Sequence, residues 1–595
     1  MEALLSLTSF WSDFYQRRCA TKNYKCWPKF VARSLNYPDI PVFQILRSTA
    51  ERCPFHIAII FDSMEITYSE LLTLCERFAS AVAGLGVKKG DRVAIHLPNC
   101  PQFAIAYYAI LMNGAIFTPC NPLMVEKELE YQLNDAEAET IITLDMFYPM
   151  LEKVVPKTKI KNVIIASIPD VIPPLLTATR PPFVKKEIPG TYDFNTLIKS
   201  HEPKPPEVNI DPKKDLAHLA YTGGTTGVSK GVMLTHFNVV ANVIQSSQWI
   251  RGGDVTYDNG ILGLLRMEGD REEDHPTRFG KEKALIVVPW SHAMGTIGYL
   301  NLRIYGGDTM IVFPRFDPAQ YLRAIEKYEA TTIGGAPQLF IPLVNHDDLK
   351  KCDLSSIRLV TCGAAPLPIP VVEKMLKVFP GVIMETYGLT ECTMGSNYNP
   401  PTREGLKTGS VGLPLPDVEI KIVDLDTGTK ELPQGEAGEM CIKGPHVMQG
   451  YWNKPEETKI VLRNGWLYTG DIAREDEDGY FYIVDRKKDM LIYKGYNVYA
   501  RDLEEVMVRN PAVHQCAVVG RPDTEAGEIP VAFVVLRAGA RTTAEELLEY
   551  CAKNAAPYKK IRQIIFKEEL PISRVGKVLK KELRKELTQE EQTKI

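Results

Sequence analysis

A chain of 595 residues is too long for one hydrophobic core and predicts two or more domains. Hydrophobic residues at 45% and charged residues at 24% are ordinary for a globular protein, and a formal net charge of −4 argues against a general nucleic-acid binder. The twelve cysteines include no Cys-x-x-Cys pair and no Cys/His cluster, which predicts a reduced, cytoplasmic protein without structural zinc.

Glu2 replaces the basic leader of a signal peptide, and no small-residue cleavage site follows. Leu4, Leu5, Leu7, Phe10, Trp11 and Phe14 fit one side of a helix. Packing against the body is the default for them, and peripheral membrane contact is the alternative. Residues 57–165 alternate β-type runs with helical patterns. Ser69 is placed to cap a helix with Leu72, Cys75, Phe78, Ala79 and Val82 on its apolar face. Gly90-Asp91 turns into a strand at 93–95, and 140–144 and 163–166 read as later strands of one α/β layer. The most apolar stretch, 103–117, is too short to span a membrane and contains Asn113 and Gly114. Residues 168–213, rich in proline and lysine, read as a long connection.

Next comes Tyr221-Thr222-Gly223-Gly224-Thr225-Thr226-Gly227-Val228-Ser229-Lys230-Gly231. Its glycines let backbone N–H groups approach an anion, its threonines add hydroxyl donors, and Lys230 adds a mobile cation suited to phosphate. Apolar runs on both sides predict a strand–loop–strand turn. This is not a Walker loop, because Lys230 lies three residues after Gly227 and precedes Gly231.

A second α/β region runs to about residue 400, with strands predicted at 285–288 and 383–385. The charged stretch 251–283 interrupts it and reads as a solvated surface loop, with a lid or subunit contact as the alternative. Short β runs at 409–484 suggest a small β subdomain. From about 489 a helix at 501–509, strands at 514–520 and 530–536, a helix capped by Thr542 with Glu545, a strand at 563–568 and a helix from Leu579 form a compact α+β unit. Arg486-Lys487-Lys488-Asp489 is the junction, giving domains 1–485 and 486–595.

The phosphate-type run and six later segments resemble, in order, the motifs of the adenylate-forming superfamily of acyl-CoA synthetases, adenylation domains and luciferases. These are Pro289-Trp290-Ser291-His292-Ala293-Met294-Gly295, Gly363-Ala364-Ala365-Pro366, Glu385-Thr386-Tyr387-Gly388-Leu389-Thr390-Glu391, Tyr468-Thr469-Gly470-Asp471, Asp485-Arg486-Lys487-Lys488-Asp489 and Gly576-Lys577. The resemblance covers residues 40 to 587 and is greatest to bacterial long-chain fatty acid–CoA ligases. It implies an α/β fold class: a large N-terminal region of two α/β subdomains plus a small β subdomain, then a small, mobile α+β C-terminal domain.

The chemistry so implied activates a carboxylate as acyl-AMP with ATP and Mg2+, then transfers the acyl group to coenzyme A. Thr222, Gly223, Gly224, Thr225, Thr226 and Lys230 would hold the polyphosphate. Glu391 is the natural Mg2+ ligand, since that ion prefers carboxylate, phosphate and water oxygens, and Thr226 joins it. Thr390 would bond the α-phosphate, and Tyr387 would lie beside adenine with Gly363, Ala364, Ala365, Pro366, Glu385, Thr386 and Gly388. Asp471 suits the ribose hydroxyls, and Arg486 resembles the family arginine that reaches ribose and phosphates. Ile483 completes that side. Lys577 resembles the catalytic lysine, His292 and Thr226 join the catalytic set, Lys488 matches the hinge, and Lys494 with Gly495 match the loop that approaches the coenzyme A thiol.

No Asp or Glu occurs from Ala284 to Gly307 or from Gly334 to Pro342, segments that match the family's acyl-pocket walls. An amino-acid substrate would need a carboxylate there. Small and apolar Gly295, Gly298, Ala336 and Leu339 suit a hydrocarbon tail, so a fatty acid is the leading partner. Medium-chain, alicyclic or aryl acids, a carrier-protein acceptor, a luciferase-like oxygenase and a non-catalytic acyl-nucleotide binder are the alternatives, and a homodimer is an open assembly.

Overall fold

The structure, a computed structural model, describes residues 24–167, 187–222, 229–494, 496–523, 525–555, 560–573 and 578–592. They form two compact units. One takes its residues from 24–222, 230–419 and 443–465, the other from 229, 420–442 and 466–592.

The first unit begins with hairpin β1 (Ile57–Phe61) and β2 (Met64–Thr67), then helix α1 (Tyr68–Gly84). Thr67 caps α1, its hydroxyl accepting the Glu70 N–H while the Glu70 carboxylate accepts the Thr67 N–H. The cap is therefore Thr67 and not Ser69. The buried face is Leu71, Cys75, Phe78, Ala79 and Val82, with Leu71 in the place expected of Leu72.

Strands β3 (Arg92–His96), β4 (Ile116–Pro119), β5 (Thr140–Leu144), β6 (Asn162–Ala166), β7 (Tyr192–Asp193), β8 (Leu216–Tyr221) and β9 (Gly231–Thr235) build one sheet. Its order is β9-β8-β4-β3-β5-β6-β7, with the short strand Gly450–Tyr451 outside β9. β3, β4, β5 and β6 are parallel, and β5 is buried at every residue, as expected where helices cover both faces. The apolar stretch after Asn99 is helix α2 (Pro101–Met112), buried on all sides, followed by β4. The long connection holds β7 and a helix at Phe194–Ser200, and its residues 168–186 lie outside the described ones.

After β9 comes helix α3 (His236–Arg251), buried at every residue except Phe237 although half its side chains are polar. The charged insertion departs from the expected solvated loop in its first half, whereas Glu268, Arg271, Glu273 and Asp274 beyond it are exposed. It forms hairpin β10 (Asp254–Asp258) and β11 (Ile261–Leu265), joined through Asn259 and Gly260, both at positive φ. The Asp254 carboxylate accepts the Asn36 backbone and side-chain N–H groups. Asp270 pairs with His275 at 2.5 Å, and Arg358 donates to the His275 and Pro276 carbonyls. Asp254 and Asp270 are thus satisfied within the fold, whereas those four charged residues stay in water.

Strands β12 (Lys283–Ile286), β13 (Thr309–Val312), β14 (Thr332–Gly335), β15 (Leu359–Cys362), β16 (Val382–Tyr387), β17 (Asn397–Tyr398) and β18 (Leu413–Pro414) join β1 and β2 in a second sheet. Its order is β18-β17-β16-β15-β14-β12-β13-β1-β2. Ile333, Val360, Cys362 and Ile383 face a core with Leu322, Phe340, Val372 and Met375.

In the second unit, strands Gly438–Lys443, Trp466–Glu475 and Phe481–Arg486 pair antiparallel. The rest is an α+β layer in which Val513–Asp523 and Gly527–Leu536 form a long hairpin pair and Gln563–Phe566 runs parallel to the latter. Helices Ala500–Val508 and Ala544–Asn554 cover one face through Leu503, Met507 and Leu547, and helix Lys580–Gln592 covers the other through Leu583 and Leu587. The second helix is capped by Thr543 with Glu546, one residue later than expected. Among the described residues no helix is long and apolar enough to cross a membrane.

Candidate active site

The expected strand–loop–strand turn is present: β8 and β9 pair antiparallel, with Tyr221 opposite Gly231. Thr222 and Lys230 close the stem, the Thr222 N–H donating to the Lys230 carbonyl at 3.1 Å. Gly223, Gly224, Thr225 and Thr226 lie outside the described residues.

Lys230 stands 3.2 Å from the Glu457 carboxylate and 4.7 Å from the centre of the Tyr451 ring. The Tyr451 hydroxyl donates to Glu391 Oε1 at 2.8 Å. One aromatic side chain thus touches both the phosphate-type lysine and the acidic residue expected to hold metal. Sequence reasoning missed Tyr451. Its only signal was an aromatic hydroxyl beside Gly450 in a predicted β region.

Glu391 sits in a single 3₁₀ turn, Thr390–Cys392, that follows β16. Glu385 and Thr386 belong to β16, which ends at Tyr387, and Gly388 follows. Glu385 is buried beside Cys362, whose thiol is pushed well up by burial and then by that carboxylate. Thr386 donates to the Cys362 carbonyl at 3.3 Å. In Gly363-Ala364-Ala365-Pro366 the chain leaves β15, with Ala364 at a φ of 66°. Helix α3 holds the region from beneath. Asn242 accepts the Gly395 N–H and donates to the Gly395 carbonyl, Gln245 donates to the Pro416 carbonyl, and Trp249 to that of Asn399.

His292 lies in the turn before the helical stretch Met294–Asn301, and its Nδ1 accepts the Met294 N–H at 3.3 Å. A Cβ on Gly295 would run into the Pro289 carbonyl, and one on Gly298 would reach the Met394 sulfur. These glycines let neighbours approach closely. Leu339 is buried in the core of the second sheet. The Tyr299 hydroxyl, over Gly334, pairs with Thr361 at 2.7 Å, and Asp308 is engaged by Arg251 and Arg303 at 3.0 and 3.3 Å.

In the second unit Asp471 and Arg486 face each other across antiparallel strands, Arg486 Nε 3.2 Å from Asp471 Oδ1. Ile483 lies opposite Ala473, its carbonyl accepting from Arg501. Asp485 accepts the Ala500 N–H, and burial lifts its carboxyl to about 6. Burial, first, and Arg486, second, lower the Lys488 ammonium, and the Lys488 carbonyl accepts from Arg584, which also pairs with Asp489 at 2.7 Å. Lys494, at a φ of 49°, starts the connection between strands Leu491–Tyr493 and Tyr496–Val498. Gly495 and Lys577 lie outside the described residues.

No group of three or more His, Cys, Asp or Glu converges among the described residues, so no metal cage made by protein alone is present there. Glu391, with Tyr451 on one oxygen, fits Mg2+, which takes one or two carboxylates and completes its shell with phosphate and water.

The profile of the AMP-binding enzyme family matches residues 46–452, and that of the AMP-binding enzyme C-terminal domain matches 502–577. A long-chain-fatty-acid–CoA ligase of Bacillus subtilis strain 168 is 39% identical over 571 residues, covering 95% of this chain and 97% of that protein. One from Escherichia coli O6:H1 is 37% identical, covering 88% and 90%. Among solved structures, ATP-bound MatB from Rhodopseudomonas palustris superposes with a TM-score of 0.78 at 28% identity, over 92% of this chain and 99% of that one.

Proposed function

The chain belongs to the AMP-binding enzyme family, and on that premise we propose that it joins a long-chain fatty acid to coenzyme A with ATP, releasing AMP and pyrophosphate. The observation that carries this reading is the 39% identity to the Bacillus ligase along almost the full length of both proteins. A carboxylate oxygen attacks the α-phosphorus of ATP, and the bond to the β-phosphate oxygen breaks. The sulfur of coenzyme A then attacks the acyl carbonyl, losing its proton, and the carbonyl–phosphate oxygen bond breaks to free AMP.

Mg2+, when bound, neutralises phosphate charge and orients the leaving pyrophosphate. In this reading Glu391 and Thr226 hold it, while Thr222, Gly223, Gly224, Thr225 and Lys230 bind polyphosphate. Thr390 bonds the α-phosphate, Tyr387 lies beside adenine with residues 363–366, Asp471 takes the ribose, and Arg486 bridges ribose and phosphate. His292 borders the reacting carboxylate, and Lys577 neutralises charge at the α-phosphate in the first step. Lys494 and Gly495 approach the thiol in the second, after residues from 486 onward turn about Lys488. A cytoplasmic location belongs to the same reading, with residues 4–14 the segment to probe for membrane contact.

The absence of an uncommitted acid in the acyl wall supports a hydrocarbon tail, since Asp308 is already engaged by two arginines. The test is coenzyme A-dependent AMP release across a panel from octanoate to oleate with aryl and amino acids. The expected result is the highest kcat/KM for the long chains. Highest turnover with octanoate or an aryl acid would replace the substrate class, and release that needs a carrier protein instead of coenzyme A would replace the acceptor.

A further inference from the structure

Tyr451 has no role in the preceding scheme, yet two parts of the candidate site meet at it. Its backbone is fixed from both directions. Strand Gly450–Tyr451 extends the first sheet at β9, with Gly450 opposite Met233 and Tyr451 opposite Val232, so it rides on the strand that leaves Lys230. The residues just before it are tied to the Glu391 turn: the Met448 N–H donates to the Glu391 carbonyl at 2.9 Å, and the Thr393 hydroxyl to the His446 carbonyl at 2.7 Å. Thr458 accepts the Tyr451 N–H at 2.9 Å, which anchors the ring's own backbone.

From that fixed base the side chain contacts two opposite charges. Its hydroxyl donates to Glu391 Oε1 at 2.8 Å, and its face lies 4.7 Å from Lys230 Nζ. A phenol is un-ionised at physiological pH, so the hydroxyl is a donor there. A carboxylate with one oxygen held by a donor presents the other in a set direction, and the ring face attracts the ammonium.

We infer that Tyr451 is a positioning residue that aims Glu391 at the metal through its hydroxyl and holds Lys230 toward the polyphosphate through its ring. The inference rests on the metal role of Glu391 and the phosphate role of Lys230 proposed above, and the test separates the two. Tyr451→Phe keeps the ring and the strand pairing and removes only the hydroxyl, whereas Tyr451→Leu removes both contacts. Binding of Mn2+ in the presence of α,β-methylene-ATP is read from loss of the free Mn2+ electron paramagnetic resonance signal. Binding of the analogue without metal is read by calorimetry, and Glu391→Gln serves as the reference.

Tyr451→Phe should weaken Mn2+ about tenfold, the scale of loss for a partner that orients a metal ligand. It should leave metal-free analogue binding and the melting temperature as in the parent. Tyr451→Leu should weaken metal-free analogue binding as well. If Glu391→Gln loses Mn2+ while Tyr451→Phe binds it normally, whatever its melting temperature, the inference about Tyr451 is overturned and Glu391 keeps its role. If Glu391→Gln also binds Mn2+ normally, the metal assignment itself falls, and the inference falls with it.

Discussion

Lys577 is the residue on which the two half-reactions should differ most. In the proposed scheme its ammonium meets charge that develops at the α-phosphate only during adenylate formation. Lys577→Ala should therefore slow that step on the order of a hundredfold, about 3 kcal/mol of lost transition-state stabilisation. Transfer from a supplied acyl-adenylate to coenzyme A should be far less affected. Rapid-quench measurement of each half-reaction checks this, and equal losses would remove the assigned role. Residues of this kind were readable because their motifs are local: Glu391 and Asp471 each sit in a short run with its own chemical pattern. Tyr451 was not readable, because its meaning comes from pairing with Val232 and bonding to Glu391, partners distant in the chain.

At the scale of the element, α3 joins the two sheets of the first unit to the turn that carries Glu391. Asn242 exchanges two hydrogen bonds with Gly395, as a neighbouring strand would, just past the Glu391 turn. Asn242→Ala would strand a buried N–H and a buried carbonyl, at a cost of roughly 2–4 kcal/mol. The thermal transition should drop by several degrees, and ATP binding should weaken through displacement of residues 390–395. A variant with unchanged melting would show that water replaces the side chain. Periodicity made the helices and strands legible, but caps slipped by a residue or two. The Glu three positions beyond Thr67 separates it from Ser69, whereas Thr542 and Thr543 each have a Glu at that spacing, and only the folded hydrogen bonds select Thr543. The hairpin in 251–283 was missed because its charges looked solvated, while Asn36, which donates to the Asp254 carboxylate, and Arg358, which donates to the His275 carbonyl, are remote in sequence.

At the scale of the whole molecule, one site serving two steps requires a turn in the chain, and Lys488 is the proposed point. Lys488→Pro fixes φ near −65°. Thioester formation should slow while adenylate formation survives, as read by single-turnover assays of both steps, and a wild-type rate of thioester formation would reject the hinge. At this junction Arg584 grips both the Lys488 carbonyl and the Asp489 carboxylate.

Burial of α3 on nearly every side carries a consequence for how the first unit comes apart. Amide hydrogens of a half-exposed helix trade with deuterium through small local frayings. Those of α3 have no outer face by which solvent can enter, so they exchange when the unit opens cooperatively. In native-state exchange with added denaturant, peptides from 238–249 should show the steep denaturant dependence of global unfolding. Peptides from α1, whose Ser69 and Glu70 are open to water, should begin with a shallower slope. If both helices exchanged with the same shallow slope, the polar interior of α3 would be opening by itself.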